Sequence, residues 1–158
     1  MYFSIIDSEW PAVKAKLEGF LARNRPSAAP NTADPGIAAL LGLVAALADG
    51  EVSGHFKFEE DELFPLLTAR GEGDIGALLA DEHATILPLA RELATLAQAA
   101  RADGFSGRWA EFHRLGFELI ERMMAHIQKE EMALLPLLED ALDDDVDERL
   151  ASAYALTR

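Results

Sequence analysis

The sequence predicts an all-α protein: an up-and-down antiparallel four-helix bundle with a short extra helix at its C-terminal end. Apolar residues recur at helical spacing along most of the 158 residues, and no convincing run of alternating β-branched residues indicates a strand. Breaks rich in glycine and proline divide the chain into four long segments and a short last one. A thirteen-residue motif occurs twice, 71 residues apart, so the segments pair as two helical hairpins with approximate two-fold symmetry. We expect a single domain over residues 1–158.

The first helix is expected to run from Asp7 or Ser8, which are both suitable N-caps, to about Arg23. Its apolar stripe consists of Trp10, Val13, Leu17, Phe20 and Leu21. Residues 24–36 contain three prolines and several small polar residues, so they are expected to form a loop.

The second helix is expected to begin near Pro35, because proline suits the first turn of a helix. It should end before the glycine-rich turn at residues 71–73, and Gly50 and Gly54 weaken its middle. The third helix is expected over about residues 74–101.

The fourth helix is expected over about residues 107–140, after a break at residues 103–104. The acidic residues 143–145 can cap a short last helix. The apolar side of that helix consists of Leu150, Ala153 and Tyr154. Pro65 and Pro136 lie inside helical patterns, where each removes a backbone hydrogen bond, so we expect the same kink or early end in both helices.

The composition excludes several classes of function. A formal net charge of −14 would repel phosphate backbones and anionic lipids, so we expect no nucleic-acid partner and no membrane surface. The longest apolar run, residues 37–48, is too short to span a bilayer, and the start of the chain does not resemble a secretory signal. The absence of cysteine excludes disulfides and thiolate ligands, and this usage fits a soluble cytoplasmic protein.

The repeated motif contains metal-binding chemistry. Residues 55–67 and 126–138 are identical at seven of thirteen positions, and both read His, a Glu four residues later, a second Glu, and then Leu-x-Pro-Leu-Leu. In an α-helix a residue and its fourth successor lie on one face, so each copy can direct an imidazole and a carboxylate at the same point. Two such faces would supply two His and two Glu, a ligand set suited to iron, manganese or zinc.

The repeat also has a structural explanation, in which a duplication preserves only the packing of the Leu-x-Pro-Leu-Leu segment, and His55 and His126 are core or surface imidazoles. His83 favours the metal-binding interpretation. It lies near the start of the third helix, close to an apolar stripe, and can meet both copies of the motif there.

The motifs resemble those of the hemerythrin-like HHE cation-binding domain, from the first helix to about residue 140. The resemblance lies in the order His-x-x-x-Glu, His, His-x-x-x-Glu on antiparallel helices, and in the segment His-Phe-x-x-Glu-Glu-x-x-Leu-Phe-Pro. It implies a non-haem, usually di-iron site in the bundle core. The ligands that it implies are His55, Glu59, His83, His126 and Glu130, with Glu59 and Glu130 as the residues that would bridge two metals. Members of the family bind or sense oxygen, sense iron, handle nitric oxide or peroxide, or help repair iron–sulfur clusters.

The first helix departs from the family pattern, because the family has a His there and this chain has none before His55. Alignment of the two halves places Trp10 opposite His83. Tryptophan cannot ligate a metal, so water, Asp7, Glu9 or Glu18 would have to replace the missing imidazole. We therefore expect either one metal or two of unequal affinity.

His113 is expected not to be a ligand, because thirteen residues of helix place it on a different face from His126. Glu60 and Glu131, the second acids of the two copies, either steady a ligand His or face water. No residue indicates a general base or a nucleophile, so an enzyme is not our first expectation, although it stays open. The resemblance implies a protein that binds or senses a small ligand such as oxygen, nitric oxide or peroxide, or that handles iron. An oxidoreductase with a ferrous centre and a helical interaction module with a degenerate site are the alternatives, and the oligomeric state stays open.

Overall fold

A computed structural model describes residues 6–155, except for the side chains of residues 6–9, 49, 51 and 144. All the regular structure in this part of the chain is helical. The α-helices are α1 (Ile6–Arg23), α2 (Pro35–Leu47), α3 (Ser53–Phe58), α4 (Phe64–Ala69), α5 (Gly73–Asp103), α6 (Trp109–Lys129), α7 (Leu135–Ala141) and α8 (Asp144–Ala155).

The fold is the predicted four-helix bundle. The long helices are α1, a composite of α2, α3 and α4 over residues 35–69, α5, and a composite of α6 and α7 over residues 109–141. The short helix α8 follows them. The predicted helix limits lie within about two residues of the observed ones, and the predicted caps at Asp7 and Ser8 fall on side chains outside the described part.

Local signals in the sequence explain where the helices begin and end. The Asp34 carboxylate accepts hydrogen bonds from the backbone N–H groups of Gly36 and Ile37, with Pro35 in the first turn of α2. The α5 helix stops before Gly104, whose φ of 71° suits glycine. Asp143 accepts a hydrogen bond from the N–H of Val146, so the predicted acidic cap of α8 is confirmed.

Two apolar clusters fill the bundle. The larger one contains most of the buried side chains of α1, α2, α5 and α6, and the smaller one joins α4 and α7 to Leu150 of α8. Along α5, Leu79 belongs to the smaller cluster and Ile86 to the larger one. Residues between these positions on the long helices therefore lie at the level where the two clusters meet.

The two prolines of the repeated motif follow π-helical turns, Glu59–Leu63 before Pro65 and Glu130–Leu134 before Pro136. A proline cannot donate the i→i−4 hydrogen bond, so the preceding turn must change its bonding. We predicted the same kink or early end in both helices, and both copies do share one disturbance of the α-helix, which takes the form of a π-helical turn. An early end is wrong, because both helices continue, to Ala69 and to Ala141.

Within the described residues, no helix is both long enough and apolar enough to cross a bilayer.

Candidate metal centre

Four side chains with metal-ligating groups are buried together where the two apolar clusters meet. Glu59 and Glu130 are the first residues of the two π-helical turns, His83 comes from the middle of α5, and His126 comes from the last turn of α6. Each offers one nitrogen or oxygen atom, and these atoms all lie within 4.8 Å of one another. Three long helices therefore direct two imidazoles and two carboxylates at one point.

The contacts within this cluster are close. The Nε2 atoms of His83 and His126 are 3.2 Å apart. Oε1 of Glu130 lies 2.7 Å from Nε2 of His126, and Oε2 of Glu59 lies 3.2 Å from Nε2 of His83. Both imidazoles therefore face the cluster through Nε2.

His55 lies at the edge of the same cluster. Its Nε2 is 3.2 Å from Oε1 of Glu59 and 3.9 Å from Oε1 of Glu130. The two oxygens of Glu59 thus face different imidazoles, His55 on one side and His83 on the other. All five residues that the sequence singled out are brought together, with the two glutamates between the histidines.

Several of these polar atoms are buried and have no hydrogen-bond partner outside the cluster among the described residues. They are Oε2 of Glu59, Oε1 of Glu130, and both ring nitrogens of His55. Burial of carboxylate oxygens is costly, so these two depend for compensation on the groups of the cluster itself. A cation at the centre of the cluster would satisfy them, so the donor set fits a metal ion.

Without a metal, protons on the imidazoles balance the two carboxylates. Burial alone would lower the pKa of His55, but the charges and hydrogen bonds of Glu59 and Glu130 outweigh it and raise that pKa to about 10. The pKa of His126 is raised in the same way, against the effect of burial, chiefly by Glu130. Burial opposes ionisation of Glu130, but its hydrogen bonds to His126 and His55 lower its pKa to about 2.

Two further glutamates contact the imidazoles of His83 and His126 from outside the cluster. We call these two rings the inner imidazoles. Oε1 of Glu60 lies 2.8 Å from Nδ1 of His83, and the Glu60 side chain is also 45% exposed, so the two situations that the sequence allowed for Glu60, contact with a histidine and contact with water, occur together. Oε2 of Glu82 lies 3.0 Å from Nδ1 of His126, and Lys129 contacts the other oxygen of Glu82. Burial raises the pKa of Glu82, but Lys129 and His126 lower it by more.

Sequence reasoning assigned no role to Glu82. It directly precedes His83 in the chain, yet it binds a histidine of the neighbouring helix, 44 residues further on. No spacing rule within one helix predicts such a contact. The symmetry of the motif would predict that Glu131, the counterpart of Glu60, also contacts a histidine. Instead, Glu131 is exposed and lines a groove together with Trp10.

Phe56 packs directly on the inner imidazoles. Its ring is stacked on His83, with centroids 3.8 Å apart and planes 6° apart, and it meets His126 edge-on at 5.3 Å. Phe64 covers His83 with a centroid separation of 5.7 Å. These rings pack against the imidazoles and hold them in place.

His113 lies outside the cluster, as the sequence predicted. Its Nε2 donates a hydrogen bond to the carbonyl oxygen of Leu21 at 2.9 Å, and its ring packs against Trp109 and Phe117. It therefore serves the packing between α1 and α6.

The described residues of the first helix bring no ligand to the cluster. Trp10 is 5% exposed, and its indole nitrogen has no hydrogen-bond partner among the described residues. Glu18 is half exposed and pairs with Lys14 at 3.2 Å, so it does not replace the missing imidazole. The side chains of Asp7 and Glu9 lie outside the described part of the chain.

The fold and the cluster define a helical-bundle protein with a buried His and Glu site suited to a cation. The sequence model of the hemerythrin HHE cation binding domain matches residues 14–138, and the chain belongs to this family. No curated protein and no solved structure matches the chain.

The stability of the chain without metal should depend on pH through His55 and Glu130. The contribution of His55 to the free energy of unfolding is complete below its ordinary pKa of 6.5 and is lost as the pH rises through its raised pKa of about 10. That of Glu130 is full above its ordinary pKa of 4.5 and is lost as the pH falls through about 2. In thermal melts across this range, we expect His55→Gln to weaken the alkaline loss of stability. An equal alkaline loss in wild type and variant would contradict the assignment.

Proposed function

We propose that this chain is a non-haem iron-binding protein in which Glu59, His83, His126 and Glu130 hold a metal, and His55 is the protein ligand of a second, weaker position. The observation that carries the proposal is the convergence of four ligand atoms from buried residues within 4.8 Å, two of them carboxylate oxygens. A degenerate site would have no reason to keep two carboxylates buried beside imidazoles, because burial of charged groups is costly even when they are paired.

The donor chemistry favours iron and leaves other divalent cations open. Imidazole nitrogens and carboxylate oxygens suit ferrous iron as well as manganese and zinc, and the chain has no sulfur ligand from cysteine. When bound, iron supplies an open coordination position at which oxygen, nitric oxide or peroxide can bind. Membership of the hemerythrin HHE family supports iron and a small ligand of this kind. The absence of cysteine fits a cytoplasmic location.

The residues of the chain prepare the site in three ways. Nε2 of His83 and Nε2 of His126 face the same point as the glutamate oxygens, so little rearrangement is needed on binding. The ring of Phe56 packs on both imidazoles and that of Phe64 on His83, which holds the two rings in place. The low-dielectric surroundings strengthen the attraction between the carboxylates and a cation.

The two halves of the site are unequal. One half has two imidazoles, His83 and His126, whereas the other has His55 alone. Trp10 lies beside a groove whose other wall includes Ile127 and Glu131, in the stretch of helix that carries His126 and Glu130. This placement supports the alignment of Trp10 with His83 and leaves the His55 half one imidazole short.

The histidines can be separated by their effects on bound metal. His126→Ala should lose most of the iron, because the inner position loses one of its two imidazoles. His113→Ala should keep it, since His113 binds only the Leu21 carbonyl. Iron per chain, measured by elemental analysis after anaerobic loading and desalting, compares them. Equal iron loss in both variants would refute the ligand assignment.

Removal of the metal should destabilise the chain. A metal that binds only the folded state adds about 2.7 kcal/mol when free metal is a hundred times Kd. At about 2–4 °C per kcal/mol for a domain of this size, chelation should lower the Tm by roughly 5–10 °C. Reloading with ferrous iron should restore it. A Tm that is the same in the chelated and reloaded chain would favour the degenerate-site alternative.

Trp10 tests the inequality of the two halves. We expect fewer than two irons per wild-type chain, or two of unequal affinity, and more iron in Trp10→His, because this variant offers the missing imidazole. The loss of a large buried side chain can cost ~3–5 kcal/mol, so the variant without metal should be less stable.

Trp10→Phe is the matched control, because it also shortens the side chain but adds no ligand. Iron per chain and oxygen-dependent absorbance should increase in Trp10→His and stay at the wild-type level in Trp10→Phe. Two tightly bound irons in the wild type would show that another residue replaces the missing His, and the alignment of the first helix would then be wrong.

A further inference from the structure

The inner imidazoles are each bound at the ring nitrogen that faces away from the cluster. Nδ1 of His83 is 2.8 Å from Glu60, and Nδ1 of His126 is 3.0 Å from Glu82. An ionised carboxylate can only accept a hydrogen bond, so each Nδ1 must carry the proton. In the neutral ring this leaves the lone pair on Nε2, which is the atom that faces the cluster.

Both hydrogen bonds cross between helices. Glu60 belongs to the π-helical turn of the second long helix and holds His83 of α5. Glu82 belongs to α5 and holds His126 of α6, while Lys129 of α6 contacts its second oxygen. The glutamates therefore fix the ring orientations relative to the bundle, not only relative to their own helices.

The other half of the site lacks such contacts among the described residues. His55 is the counterpart of His126 in the repeated motif, yet its Nδ1 is buried without a hydrogen-bond partner. Glu131 is the counterpart of Glu60, and both side chains are exposed, but only Glu60 contacts a histidine within the described residues. Among the described residues, outer carboxylates therefore contact only His83 and His126, while the side chain of Glu9, the counterpart of Glu82, lies outside the described part of the chain.

We propose that Glu60 and Glu82, the latter steadied by Lys129, are positioning residues that hold His83 and His126 with Nε2 toward the metal and thereby tighten metal binding at this half. The proposal rests on the proposed metal-binding function. Carboxylates bound to the outer nitrogen of a ligand His fix its tautomer and raise its basicity, and their loss typically weakens metal binding ~10–100-fold.

The test uses cobalt(II) alone, titrated into the full chain after chelation and followed by its visible absorption. Glu60→Gln and Glu82→Gln should each bind cobalt ~10–100-fold more weakly than the wild type. Glu131→Gln is the matched control, because it removes the same charge from the symmetry-related position, and it should bind as the wild type does. Two separate positioning variants keep the test valid if one of them fails to fold.

The absorption bands of the cobalt-saturated chain separate positioning from a general loss of stability. A merely destabilised bundle would keep the wild-type bands once it is saturated, whereas misplaced imidazoles would shift the bands or change their intensity. We expect altered bands in Glu60→Gln and Glu82→Gln and unchanged bands in Glu131→Gln.

The cobalt titration distinguishes a failure of the proposed function from a failure of the positioning proposal. If the wild type binds no cobalt, the proposed function itself fails. If the wild type binds and both positioning variants match it in affinity and bands, the proposed function stands and the positioning proposal is overturned. A Glu131→Gln variant as weak as the other two would also overturn the positioning proposal, because acidic charge alone would then explain the effect.

Discussion

Two carboxylates in the middle of a helical bundle, those of Glu59 and Glu130, impose the constraint on which the rest of the site depends. Buried charges are costly unless opposite charge and hydrogen bonds compensate them. Apolar clusters on both sides exclude the water that would otherwise do so. In the chain without metal, His55 and His126 supply the positive charge, and their raised pKa values reflect it. A metal ion would replace those protons.

The helices meet this constraint through their backbone as well as their side chains. Each of the two glutamates is the first residue of a π-helical turn, and each turn precedes a proline that cannot complete the α-helical ladder. Such turns occur often at functional sites, because the extra residue changes the direction of the following side chains. The repeated Leu-x-Pro-Leu-Leu segment and the repeated ligands are thus structurally linked. In both copies, the π-helical turn begins at the ligand glutamate and lies just before the proline.

The local features of this protein could be predicted from its sequence, and the features that depend on contacts between helices could not. The four long helices follow from apolar periodicity and from the Gly and Pro breaks, and the pairing of His55 with Glu59 and of His126 with Glu130 follows from the i, i+4 spacing within a helix. His83 could be included because it lies on an apolar stripe. Nothing local marks Glu82 as the partner of His126 or Phe56 as the ring stacked on His83, because both contacts depend on the packing of neighbouring helices. The π-helical turns were missed because proline alone indicates a disturbed ladder but not the form that it takes.

The described residues surround the site unevenly. His83 and His126 lie together, and each contacts an outer carboxylate, whereas His55 lies at the edge of the cluster and no described side chain contacts its Nδ1. The central claim is that a metal sits among the four buried ligand atoms, and anomalous diffraction at the iron edge from crystals of the iron-loaded chain tests it most directly. We expect the strongest anomalous peak about 2 Å from Nε2 of His83 and of His126, in contact with oxygens of Glu59 and Glu130. A peak elsewhere, or no peak among these four side chains, would contradict the claim.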